Sequence, residues 1–102
     1  MGWPPEEARS LRTAYGAAGQ TGYWRQRLAL TQRRADREFV PATEIALCYA
    51  QLGERDTAFE WLDRAARNRE YQLLWLKVLA LWDPLRADPR FGVLLRRIGL
   101  PE

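Results

Sequence analysis

The stretch Ile45-Ala46-Leu47-Cys48-Tyr49-Ala50-Gln51-Leu52-Gly53, followed by Ala58, Leu62 and Ala65, decides the fold. Small Ala46 lets a second helix approach closely, and Tyr49 fills the space between the two axes. Gly53 permits the turn, because a residue without a Cβ enters left-handed backbone geometry at no steric cost. Ala58, Trp61, Leu62 and Ala65 then form the inner stripe of a returning helix. Pro41 opens the first helix of this pair, which runs to about Leu52 and stops at Gly53. On the outer side of the second, Glu60–Arg64 and Asp63–Arg67 have i,i+4 spacing, each pair worth a few tenths of a kcal/mol.

Helical punctuation continues on both sides. Upstream, Pro4-Pro5 precedes a helix over 6–17 whose apolar stripe is Ala8, Leu11, Ala14 and Tyr15, broken at Gly16 and again from Gly19 to Gly22. A second helix is predicted from Tyr23 to Phe39, with Trp24, Leu28, Thr31 and Ala35 on one face and Arg25, Arg33 and Arg37 on the other. Downstream, Leu73 to Trp82 is apolar nearly all round and predicts a short helix covered on most sides. Asp83-Pro84 and Asp88-Pro89 each read as a helix start, Asp being a good N-cap and Pro a good first residue. The last helix should bear Phe91, Leu94, Leu95 and Ile98 and close at Gly99 and Pro101. No segment alternates with period two, so the expected fold is all-α.

A shift of about 34 residues, the length of one helix-pair repeat, places Tyr15 on Tyr49, Gly19 on Gly53, Leu28 on Leu62, Leu11 on Ile45 and Ala8 on Ala42. The order small, aromatic, Gly, Ala, Leu, Ala in Ala46, Tyr49, Gly53, Ala58, Leu62 and Ala65 resembles the tetratricopeptide repeat family. The first unit departs from that pattern: Trp24 stands where Ala58 would be, Arg12 where Ala46 is, and Thr31 where Ala65 is. The closing segment, Asp83-Pro84-Leu85-Arg86-Ala87-Asp88-Pro89-Arg90-Phe91, is similar to one that ends tetratricopeptide regions of bacterial multidomain signalling proteins. Such regions follow serine/threonine kinase, winged-helix regulator or adenylate cyclase domains. The resemblance implies one tetratricopeptide-like domain over 1–102, an α-α superhelix of two to two and a half antiparallel helix pairs. Residues 5–38 would be a degenerate repeat, 39–72 a clear one, and 73–102 a partial repeat with a capping helix. It also implies a stand-alone adaptor or the tail of a longer product.

Composition narrows the chemistry. The chain has 102 residues, 47% of them hydrophobic, with five Trp, four Tyr and three Phe, enough to bury a modest core. It holds one cysteine and no histidine. That excludes an internal disulfide, a Cys/His zinc cluster, and Ser-His or Cys-His nucleophile pairs. No catalytic residue, metal or cofactor is expected. Cys48 reads as a small packing residue, and Asp83 and Asp88 as helix caps rather than a catalytic pair. No apolar run reaches the roughly 20 residues that span a bilayer. The start carries no secretory signal, so no membrane association is expected and a cytoplasmic location is the default.

Function then rests on surfaces. The first helix of each stacked pair lines the concave side of such a superhelix. The expected groove is Arg9 and Thr13 (with Glu6), then Thr43, Leu47 and Gln51, then Lys77, suited to an extended peptide or one partner helix. The resemblance implies a carboxylate clamp only where Lys, Asn and Arg occupy set groove positions, and those are missing here. A protein or peptide is therefore the expected partner, with homodimerisation through an exposed stack end as a variant. The sixteen basic residues include a single lysine, Lys77, against thirteen acidic ones, for a net charge of +3. Arg25, Arg33, Arg34 and Arg37, with Arg27, form the one basic concentration. A nucleic-acid contact through that helix (25–37) is the alternative, less favoured because Asp36 and Glu38 interrupt it.

Overall fold

The computed structural model describes residues 3–76 and 78–99, and among these every regular element is helical. The chain divides into two compact units, 1–40 and 41–102.

The first unit is α1 (Pro5–Ala35), broken where Ala18 and Gly19 leave helical geometry. Pro4 and Pro5 start it, Glu6 and Glu7 occupy its first turn, and Arg33 and Arg34 its last. Each charge opposes the partial charge of the helix end it sits on. The two halves fold back on each other. Gly22 lies against the Ala14 backbone, Gln26 donates to the Ser10 hydroxyl at 3.3 Å, and the Arg34 guanidinium lies 4.4 Å from the Trp3 ring centre. Each partner steps back along the first half as the second half advances, which makes an antiparallel hairpin. Leu11, Trp24, Leu30 and Thr31 are buried, and the Thr31 hydroxyl is satisfied by the Arg27 carbonyl at 2.7 Å. The helix predicted to reach Phe39 ends at Ala35, leaving Phe39 exposed and Arg37 in the following turn. Leu30 is buried and Leu28 only half-buried, because the fold-back contact rather than the local stripe selects the inner face.

The second unit opens with α2 (Ala42–Gln51) and α3 (Arg55–Arg67), joined at Gly53 with φ +80°. Ala46, Ala58, Leu62 and Ala65 are wholly buried, as is Cys48. Small side chains bring the two axes together, and Leu62 fills the space that remains. The core is completed from downstream by Leu73, Leu76, Trp82, Leu85, Phe91, Leu94 and Leu95.

Between α3 and the last helix the sequence expectation fails. Residues 73–82 do not form a covered helix. Two short 3-10 helices, Tyr71–Trp75 and Ala80–Trp82, stand there instead. Leu73, Leu76 and Trp82 turn inward, while Leu74, Trp75, Val78, Leu79 and Leu81 remain exposed. The spacing of three between Leu73 and Leu76 suits the tighter helix, whose side chains at i and i+3 eclipse. Arg86 holds this segment by donating to the carbonyls of Leu76 at 3.2 Å and Leu79 at 2.7 Å.

α4 (Asp83–Arg86) and α5 (Pro89–Arg97) follow. Asp88 caps α5, accepting from the Arg90 N–H at 2.9 Å. Asp83 does not cap: it lies inside the first turn of α4 and pairs with Arg86. α5 runs beside α3 in the same direction. Arg90 reaches Asp56 at 2.9 Å near the start of both helices, and Arg97 meets Asp63 near their ends.

Candidate functional site

The exposed apolar run is the most unusual surface of the second unit. Within eleven residues Tyr71, Leu74, Trp75, Val78, Leu79 and Leu81 are all exposed, Trp75 at 53% and Val78 at 68%. Tyr71, Leu74, Trp75 and Leu81 belong to the two 3-10 helices, and Val78 and Leu79 to the link between them. Apolar side chains scattered singly on a surface need no explanation, but a cluster of this size is a mark of association surfaces.

The run adjoins a cleft of about 440 Å³ lined by Ala66, Leu73, Leu74, Ile98, Tyr71, Glu70, Arg69 and Arg97. Its charged rim is unevenly satisfied. Asp63 accepts from Arg97 and from Arg67 at 2.9 Å, and the Arg97 hydrogen bond above all holds its carboxyl below the usual carboxylate range. Glu70 turns its carboxylate toward the start of α2, accepting from the Ala42 N–H at 2.8 Å and the Thr43 N–H at 3.1 Å. Away from this cleft, at the start of α5, the Asp88 carboxyl is lowered to about 2 by the Arg90 side chain first and the Arg90 backbone N–H second. Arg90 stays the more firmly protonated for its two carboxylates, and lies 4.5 Å from the Phe59 ring centre.

The first unit has its own apolar groove, about 630 Å³, lined by Trp3, Ala8, Leu11, Arg12, Tyr15 and Tyr23. Among the described residues no group of three or more His, Cys, Asp and Glu could hold a metal ion. Among the same residues no helix is long and apolar enough to cross a membrane.

The sequence-derived groove residues have separate environments. Arg9 and Thr13 are exposed on the first unit, with the Thr13 hydroxyl donating to the Arg9 carbonyl at 3.0 Å. In the second unit Thr43 is only 4% exposed and its hydroxyl donates to Glu70, so it packs rather than lines a surface. Leu47 is half-buried against the core, and the Gln51 amide donates to the Leu81 carbonyl. Lys77 lies outside the described residues. In the basic cluster Arg25, Arg33 and Arg37 are exposed. Arg34 is drawn to the Trp3 ring and to Glu38 at 3.5 Å, and Arg27 to the Trp24 ring at 4.9 Å.

Sequence reasoning missed Arg69, Glu70, Arg86 and Arg90. Each acts on a residue distant in the chain or through backbone geometry, and neither leaves a periodic signal.

Comparison with known proteins matched no family model, no curated protein and no solved structure.

Proposed function

We propose that this chain is a protein-interaction scaffold of the tetratricopeptide kind, binding a peptide, a helix or a partner domain, as such regions do beside bacterial signalling domains. The observation that carries the reading is the exposed apolar run from Tyr71 to Leu81 on an otherwise closed helical unit. The exposed side chains of this run add little to the core, and their clustering is the kind of surface that associates with a partner.

The repeat reading draws support from the ion pairs between α3 and α5. Arg97–Asp63 and Arg90–Asp56 both join positions 34 apart, the length of one repeat. Their first residues, Arg55 and Pro89, stand at the same offset. On this reading α5 is the returning helix of a third unit rather than a cap beyond it, and the 3-10 segment replaces that unit's leading helix. The alternative, a nucleic-acid contact through the arginines around 25–37, has less support, because Arg27 and Arg34 are engaged with tryptophan rings.

The test uses the purified full chain and a Leu74→Ser/Leu79→Ser variant in light scattering across micromolar concentrations and in selection from a displayed peptide library. The wild type should enrich peptides or self-associate, and the variant should lose that behaviour while keeping its circular dichroism. A wild-type chain that remains monomeric and enriches nothing would refute the scaffold reading.

A further inference from the structure

Resting on that scaffold reading, we infer that the cleft at the carboxyl end of α3 receives an acidic side chain next to a bulky apolar one, on an extended segment of a partner protein, with Arg69 holding the acid.

Helix α3 ends with the Glu70 N–H on the Ala65 carbonyl and the Arg69 N–H on the Ala66 carbonyl, both at 3.1 Å. This two-bond closure places the first residue past the cap at positive φ. Helix α2 ends identically, with the Glu54 N–H on Tyr49 at 2.9 Å and the Gly53 N–H on Ala50 at 3.2 Å. There the positive φ falls on glycine, and α5 likewise ends on Gly99. At α3 the same position is Arg69, φ +54°, the one non-glycine residue at positive φ among those described. Left-handed backbone costs a residue with a Cβ about 1–2 kcal/mol. Arginine also lacks the short polar side chain that lets asparagine bond locally there. A chain that places glycine past the ends of α2 and α5 and arginine past the end of α3 accepts that strain for the guanidinium, and an observed outlier of this kind points to function.

Past the carboxyl end of α3 a cation is favoured, but the fold pairs that guanidinium with no side chain. Among the described residues Arg69 has neither a carboxylate within ion-pair distance nor a side-chain hydrogen bond, although it is exposed at the cleft rim. Its neighbours are committed: Arg67 and Arg97 share Asp63, and Glu70 faces the start of α2. One uncompensated cation therefore stands beside an apolar floor of Leu73, Leu74 and Ile98. The complementary ligand pairs an anion with an apolar group. An extended partner segment fits better than a small amphipathic anion, because Tyr71 and Leu74 belong both to the cleft and to the apolar run leading away from it.

The experiment selects displayed random dodecapeptides on the full chain, then titrates the recovered sequences as fluorescein-labelled, carboxyl-amidated peptides by anisotropy. Recovered peptides should carry Asp or Glu within two positions of Leu, Phe or Trp. Arg69→Gly should weaken binding about tenfold to hundredfold while raising the Tm, so that unfolding cannot explain the loss. Arg69→Asn, which also tolerates positive φ, should weaken it similarly. Replacing the peptide's acid by its amide should cost as much in the wild type and nothing further in Arg69→Gly. Unchanged binding by Arg69→Gly, or by the amide peptide, overturns the assignment while captured peptides still uphold the scaffold reading. Recovery of no peptide overturns the assignment, and a chain that also remains monomeric overturns the scaffold reading with it.

Discussion

The Glu70 carboxylate caps α2, accepting from the Thr43 N–H twenty-seven residues earlier in the chain. One oxygen accepts from the Thr43 N–H at 3.1 Å and the Thr43 hydroxyl at 3.2 Å, and the other from the Ala42 N–H at 2.8 Å. The local N-cap is Pro41, whose side chain has no acceptor, so α2 draws its cap from the end of α3. The negative charge also opposes the positive end of the helix dipole. The closure of α3 at Arg69 is what delivers Glu70 to that place.

Glu70→Ala should therefore cost the second unit about 1–2 kcal/mol, the upper range of an N-cap deletion. Glu70→Gln, which keeps an acceptor without the charge, should cost less. Urea unfolding followed by far-ultraviolet circular dichroism measures both. An unchanged midpoint for Glu70→Ala would mean that solvent satisfies those N–H groups equally well.

Two glycines of α1 should respond in opposite directions to the same substitution. At Gly22 a Cβ would stand 2.6 Å from the Ala14 carbonyl oxygen and 2.7 Å from the Ala18 Cβ. Gly22→Ala must part the two halves of the hairpin and should destabilise by about 1–3 kcal/mol. At Gly16 nothing lies within 4 Å, so Gly16→Ala should stabilise by up to about 1 kcal/mol. Thermal unfolding of the two variants should move the Tm apart; movement in the same direction contradicts the fold-back.

Acid should loosen the start of α5 late. Asp88 has its pKa lowered from 3.8 to about 2, by the Arg90 guanidinium first and the Arg90 backbone N–H next. A carboxyl depressed in the folded state adds stability that is fully present above its unfolded pKa, and loses it as pH falls through the folded one. The contribution should fade between about pH 4 and pH 2. Asp88→Asn, which does not titrate there, should flatten this part of the stability profile. The check is denaturant midpoints from pH 5 to 2.

The α2–α3 contact leaves no space at its small residues. Ala58→Leu should cost about 1–3 kcal/mol through overpacking, whereas Leu79→Ala on the exposed run should stay within about 0.5 kcal/mol. Equal losses in equilibrium unfolding would mean that the run is packed rather than exposed.

Much of the second unit was legible in the sequence, because it obeys local rules. Pro41, Gly53 and the stripe of Ala58, Leu62 and Ala65 bound a helix pair by propensity, turn geometry and periodicity, and α2 and α3 lie where those residues put them. Asp88 ahead of Pro89 announced α5 in the same way. The run from Leu73 to Trp82 misled, since an apolar stretch of that length carries no period that separates a covered α-helix from exposed 3-10 turns. The surface read from helical register fared unevenly for a related reason. Thr43 stands at a groove position by count, but the Glu70 carboxylate draws it inward.

The sequence by itself determined that the chain is helical, where α2 begins and ends, where α5 starts, and which small residues let α2 and α3 approach. Those outcomes depend on neighbours within a turn or two, where sterics and backbone hydrogen bonding decide. Tertiary structure alone decided that Glu70 caps α2, that α5 lies along α3 through Arg90 and Arg97, and that Arg69 stands strained and unpaired at the rim of a cleft. Each of these joins residues far apart in sequence or depends on one backbone dihedral, and no pattern of residue types along the chain encodes either.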